Sequence, residues 1–90
     1  MALQMNYYHT EFGITFYNAY WKINPNNGII GGKSGIRYTI EAFKNNESSK
    51  VIKGFTFSFI PDLSVNAPNF IVQAYNNAKS LPLLNGSVDV

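Results

Sequence analysis

Before Pro61, apolar and polar residues alternate with a period of two in several stretches, which marks strands; after it the spacing becomes helical. Residues 2–8 set Leu3, Met5 and Tyr7 on one side and Gln4, Asn6 and Tyr8 on the other, predicting a first strand. His9-Thr-Glu-Phe-Gly13 supplies turn residues. From Ile14 to Ile23 the chain is dense in β-branched and aromatic side chains on both faces, so this strand is expected to be central or covered on both sides. Asn24-Pro-Asn-Asn-Gly28 reads as a hairpin turn, because proline fixes φ and Asn-Gly tolerates positive φ. A flexible stretch from Gly28 to Gly35 is expected next.

Ile36, Tyr38, Ile40 and Ala42 then alternate with Arg37, Thr39 and Glu41, the clearest half-buried strand of the chain. After the polar loop Asn45-Asn-Glu-Ser-Ser49, Phe55, Phe57 and Phe59 face one way and Gly54, Thr56 and Ser58 the other, completing a hairpin. Beyond Pro61, Pro68 suits the first turn of a helix. Phe70, Ile71, Ala74, Tyr75, Ala78 and Leu81 form one helical face, with Gln73, Asn76, Asn77 and Lys79 opposite. Lys79 complements the negative end of the helix dipole, and Pro82 stops the helix. The apolar end of the tail Leu83–Val90 is expected to dock. The sum is an α+β fold: a small antiparallel sheet of about four strands with one C-terminal helix packed on it, a small β-barrel or sandwich being the near alternative.

Ninety residues fit a single domain, residues 1–90. Charged residues make up 13% of the chain, about half the usual share, whereas 46% are hydrophobic and 16% aromatic. That composition argues against disorder. No apolar run is long enough to cross a bilayer, and Met1-Ala-Leu-Gln-Met-Asn6 lacks the blocks of a signal peptide. Twelve asparagines and six tyrosines take the place of Lys and Glu on the surface, which suits packed polar interfaces between subunits. The net charge of +2 comes from scattered cations and makes no stripe for nucleic acid.

Candidate chemistry is sparse. Gly28-Ile-Ile-Gly-Gly-Lys-Ser34 resembles a phosphate loop, but Asn27 stands where its first glycine belongs, and the segment leads into a strand rather than a helix. His9, the sole histidine, reads as a surface turn residue. Glu11, Glu41, Glu47, Asp62 and Asp89 are scattered, and there is no cysteine. The reading therefore assigns no catalytic residue, no metal ligand and no cofactor, and disfavours a small-molecule substrate. The aromatic series Tyr7, Tyr8, Phe12, Phe16, Tyr17, Tyr20 and Trp21 would suit base stacking, but no cation precedes Lys22 to supply the electrostatic half. Core packing plus a subunit interface accounts for it better. Tyr17, Tyr20, Trp21, Asn24, Asn26 and Asn27 are the expected interface residues. A module binding carbohydrate or single-stranded nucleic acid is the alternative, and an inhibitor of an enzyme a third reading.

The opening Met-Ala-Leu, Phe12-Gly-Ile-Thr with Asn18-Ala-Tyr-Trp-Lys-Ile23, Ala67-Pro-Asn-Phe-Ile with Ala74-Tyr and Lys79-Ser-Leu-Pro82, and the final Val88-Asp-Val90 resemble small proteins encoded in the structural gene modules of tailed phages and prophages. The resemblance implies a virion location as a tail, baseplate or connector component; within it, the carbohydrate of the alternative reading would lie on a host surface, and the inhibitor of the third reading would be phage-encoded and act on a host enzyme. Its partners would be other virion proteins and copies of itself, with no membrane contact.

Overall fold

The computed structural model describes residues 1–24 and 26–90, so the role expected of Pro25 in a turn lies outside the described residues. Strands β1 (Leu3–His9), β2 (Ile14–Ile23), β3 (Ile29–Gly32), β4 (Gly35–Phe43), β5 (Val51–Phe59) and β6 (Val88–Asp89) join one sheet, with helix α1 (Phe70–Ser80) and a 3-10 turn at Pro82–Leu84 between β5 and β6. Every pairing is antiparallel: β6 with β1, β1 with β2, β2 and β3 with β4, and β4 with β5. The fold is thus α+β with a C-terminal helix, as expected, but with six strands rather than about four. Among the described residues β5 pairs only with β4 and β6 only with β1, so the sheet stays open rather than closing into a barrel.

The two additional strands come from segments whose short patterns hide their role. β2 and β3 lie end to end along the same edge of β4: Ile23 pairs with Ile40, and Ile29 with Tyr38. Between those pairs Thr39 donates its N–H to the Gly28 carbonyl at 2.8 Å. The Asn24–Gly28 segment therefore does not reverse the chain, contrary to the hairpin expected there. Ile23 and Ile29 instead continue one strand line beside β4, and the Gly28 N–H donates to the Asn24 carbonyl at 2.8 Å. The reversal comes later, at Lys33-Ser34 between the paired Gly32 and Gly35. Gly28–Gly35, expected to be a flexible stretch, is mostly β3 and this tight turn. β6 is the docked tail: Leu3 pairs with Asp89, Gln4 with Val88, and the Val90 N–H donates to the Ala2 carbonyl at 3.0 Å.

Alternation decides which face is buried. Leu3 and Tyr7 of β1, Ala19, Trp21 and Ile23 of β2, and Ile36, Tyr38, Ile40 and Ala42 of β4 point inward and are buried, and Phe55, Phe57 and Phe59 of β5 pack beside them. α1 covers this face with Tyr75 and with Ala74 and Ala78, whose small methyls let the helix approach the sheet. Asn69 caps the helix by accepting the Val72 N–H at 2.9 Å, so Pro68 precedes the cap instead of occupying the first turn. Two tyrosines tie helix to sheet with polar contacts inside the core. The Ile23 N–H, beyond the last β1 partner of β2, donates to Tyr75 Oη at 2.8 Å. Tyr38 Oη donates to Asn77 Oδ1 at 2.6 Å, which turns Asn77 toward the sheet rather than to the polar side expected for it. Lys79 reaches Asp89 at 3.2 Å and links the helix to β6.

Two outcomes are expected from this arrangement. Gly31 has φ +125, and a Cβ there would collide with the Gly35 carbonyl oxygen, whereas a Cβ at Gly35 meets nothing. Gly31→Ala should lower unfolding free energy by about 2 kcal/mol or more in urea titrations, and Gly35→Ala by less than about 1. Burial also pushes the Tyr38 hydroxyl up to about 12 from its ordinary 10.0. The neutral phenol is the form the fold holds, so its contribution is complete below pH 10 and is lost as pH rises toward 12. Urea titrations between pH 9 and 12 should show stability falling, with Tyr38→Phe removing roughly 2 kcal/mol of that fall.

Candidate functional site

β2 pairs with β4 only from Tyr20 to Ile23, so among the described residues the distal half of the β1–β2 hairpin has no third strand beside it. This two-stranded arm begins at a bulge. Met5 pairs with Ala19 and Tyr7 with Phe16, so Tyr17 and Asn18 together oppose Asn6. Asn18 adopts φ 53, a left-handed conformation that asparagine tolerates, and donates its N–H to Asn6 Oδ1 at 2.7 Å. The bulge turns Tyr17 out to solvent, 73% exposed.

Along the inner side, the arm leans over β5. Tyr7 meets Trp21 and Phe55 edge-on, with ring centroids 5.4 and 5.8 Å apart, and Glu11 lies 4.0 Å from Lys53. His9 is buried at the end of β1, contrary to the surface turn expected for it. Phe12 stacks on its ring at 4.2 Å and covers it from solvent, and the Phe12 N–H donates to His9 Nδ1 at 3.4 Å. Phe12 is itself 67% exposed, because only one face of its ring is used. Tyr8, Phe12, Ile14 and Tyr17 thus leave the arm with large apolar side chains at least half exposed.

The outer face of the sheet beside the arm carries shallow troughs. Gln4, Asn18, Tyr20, Asn45 and Asn46 line one of about 290 Å³, which shares Gln4, Asn18 and Asn45 with a larger one of about 440 Å³ reaching Tyr17 and Lys44. A third, of about 260 Å³, lies between Lys22, Asn24, Asn26, Glu41 and Phe43. Tyr17, Tyr20, Asn24 and Asn26 therefore share one side of the molecule along β2 and its loop, and Asn27 is exposed in the same loop. Trp21 does not join them. It is completely buried, its Nε1–H donating to the Met5 carbonyl at 3.0 Å, and it must be struck from the residues available to a partner. Alternation explains the correction: Tyr20 and Lys22 face outward, so Trp21 between them faces in.

Sequence reasoning left Tyr8, Phe12 and Ile14 out of the expected interface, although it set Tyr8 on the polar side of β1. Their apolar character reads as core, and only the absence of a third strand beside the arm leaves them exposed. Among the described residues no group of three His, Cys, Asp or Glu side chains is placed to hold a metal ion, and no helix is long and apolar enough to cross a membrane. No protein-family model matches the chain, and no curated protein or solved structure matches it.

The division between core and surface aromatics is measurable. Tyr17→Ser should change unfolding free energy by no more than about 0.5 kcal/mol. Trp21→Ala should cost about 3–5 kcal/mol in the same denaturation experiment.

Proposed function

We propose that this chain is a structural or assembly subunit that works by non-covalent contact with other protein subunits, within the particle of a tailed phage. The observation that carries the reading is the β1–β2 arm. Single exposed apolar side chains are ordinary on a protein surface, but Tyr8, Phe12, Ile14 and Tyr17 concentrate on one hairpin. They do so in a chain with only 13% charged residues, and aromatics with few charges are the composition of interface centres. Tyr20, Asn24, Asn26 and Asn27 extend the same side with phenol and amide groups that would pair across a polar rim. The phage setting rests on the sequence resemblance alone, and the contact chemistry on the arm. Other virion proteins and further copies of the chain are the partners this reading implies.

The troughs beside Tyr20 favour a second reading, in which a host-surface carbohydrate packs on the phenol rings while Gln4, Asn18, Asn45 and Asn46 bond its hydroxyls. A glycan array separates the two, since the subunit reading expects it to be blank.

The decisive experiment is mass spectrometry and electron microscopy of particles produced from the gene module that encodes the chain. The wild-type chain should be present in fixed stoichiometry, and a Phe12→Ser, Tyr17→Ser double variant should remain folded but be lost from the particle. Particles complete and infective without the chain would overturn the proposal.

A further inference from the structure

Among the described residues the longest free margin of the sheet is that of β5. β3 spans only Ile29–Gly32 and β6 only Val88–Asp89, whereas β5 runs from Val51 to Phe59 with β4 on one side. The direction of its free backbone groups follows from its neighbour. Thr39 sends its N–H toward Gly28, away from β5, and its hydroxyl lies 2.9 Å from that of the opposing Thr56. Thr39 and Thr56 are therefore a non-hydrogen-bonded pair of the ladder, in which the backbone groups of both residues point away from each other. By the same alternation, the N–H and C=O groups of Gly54, Thr56 and Ser58 point out of the sheet. All three residues are exposed, and their backbone groups have no hydrogen-bond partner among the described residues.

Natural edges are usually blunted by charge, proline or a bulge. From Gly54 to Ile60 this one carries no charge and no proline. Lys53, the nearest cation, lies 4.0 Å from Glu11 and sits 5.6 Å over the Phe55 ring, so its charge is partly offset. Ile60, immediately beyond the strand, is 81% exposed.

We propose that β5 pairs antiparallel with β5 of a second copy of this chain, about a two-fold axis through Thr56. The inference rests on the protein-contact reading and names one of its partners. The edge is self-complementary in this register. Thr56 meets Thr56 of the second copy, Gly54 meets Ser58 and Ser58 meets Gly54, and each such pair exchanges two N–H···O bonds, so all the free groups are used. On the helix-covered face Phe55 meets Phe57 and Phe57 meets Phe55 across the axis, and Lys53 meets the ring of Phe59 rather than another lysine. On the other face Ile60 comes beside the start of the partner's β5, which removes the most exposed isoleucine of the chain from water, while Ile52, at the register shift of β5, stays packed against its own core. Moving the axis to Ser58 sets Gly54, Phe55 and Thr56 opposite Asp62, Pro61 and Ile60, past the end of β5 at Phe59, and moving it to Gly54 sets Lys50 of each copy opposite Ser58 and leaves Ile60 without an apolar partner. The product is one continuous sheet across two chains, closed by symmetry, with the β1–β2 arms free for other partners.

Sedimentation velocity on the full chain tests this, with circular dichroism confirming that each variant is folded. The wild type should be a dimer. Thr56→Lys and Thr56→Glu each place like charges opposite one another on the axis, and each alone should weaken the dimer by about fivefold or more. An equimolar mixture of the two variants should recover dimers, because only unlike copies then pair without repulsion. A wild type that stays monomeric at its highest soluble concentration overturns the pairing. A dimer indifferent to both substitutions also overturns it, yet leaves the protein-contact reading intact, because that reading falls only if particles do without the chain.

Discussion

Burial of Trp21 against Tyr7 and Phe55 is the constraint on which the rest of the molecule depends. The indole lies on β2, next to the middle of the sheet, with no exposed surface and with its N–H satisfied by the Met5 carbonyl. Because side chains alternate along a strand, fixing Trp21 inward sends Ala19 and Ile23 inward as well, and Tyr20 and Lys22 outward. A slip of one residue would reverse every one of these assignments and bury a lysine, so the apolar side of β2 sets the register of both neighbouring strands. The bulge at Tyr17 and Asn18 then adjusts that pattern once. It lets Phe16 and Ala19 both face in, and it leaves Tyr17 outside.

A chain of this size lacks the secondary structure to cover what such a sheet exposes. One helix of eleven residues reaches the centre of the inner face, where Tyr75 and Tyr38 bind helix to strands by hydrogen bonds as well as by contact. It leaves the β1–β2 arm projecting with aromatic side chains in water and leaves β5 with an open row of backbone groups. Each feature alone would be a liability for an isolated soluble domain. Together with sparse surface charge they are what supports the proposed role as a subunit that works against neighbours, and that proposal gives the two features separate tasks. In it the β5 margin would join like to like, and the arm and the outer face of β2 would meet other surfaces.

The alternating strands and the amphipathic helix were legible in the sequence because each is long enough for its period to speak. Ile36–Ala42, Phe55–Phe59 and Phe70–Leu81 are such cases. β3 and β6 were not legible, since Ile-Ile-Gly-Gly and Val-Asp carry no periodicity, and they are strands only because β4 and β1 offer them an edge. Asn24–Gly28 misled for a physical reason: the same Asn-Gly chemistry serves a hairpin and a connection within one strand line, and only the pairing of Ile23 and Ile29 with one edge of β4 separates the two. His9 beside turn residues reads as surface, and its burial depends on Phe12 folding back over it. For the candidate site, Tyr17, Tyr20, Asn24, Asn26 and Asn27 stood out by composition, whereas the inward direction of Trp21 needed the register.

Trp21 is the only tryptophan, so its fluorescence reports directly on the inward register that organises the fold. Emission from the free chain should be that of an indole in an apolar, water-excluded site, resistant to iodide quenching and unchanged on dimerisation or on binding a partner. Emission typical of an indole in water, quenched by iodide in the free chain and protected on assembly, would contradict the account, since it would place Trp21 at the interface and reverse the two faces of the sheet.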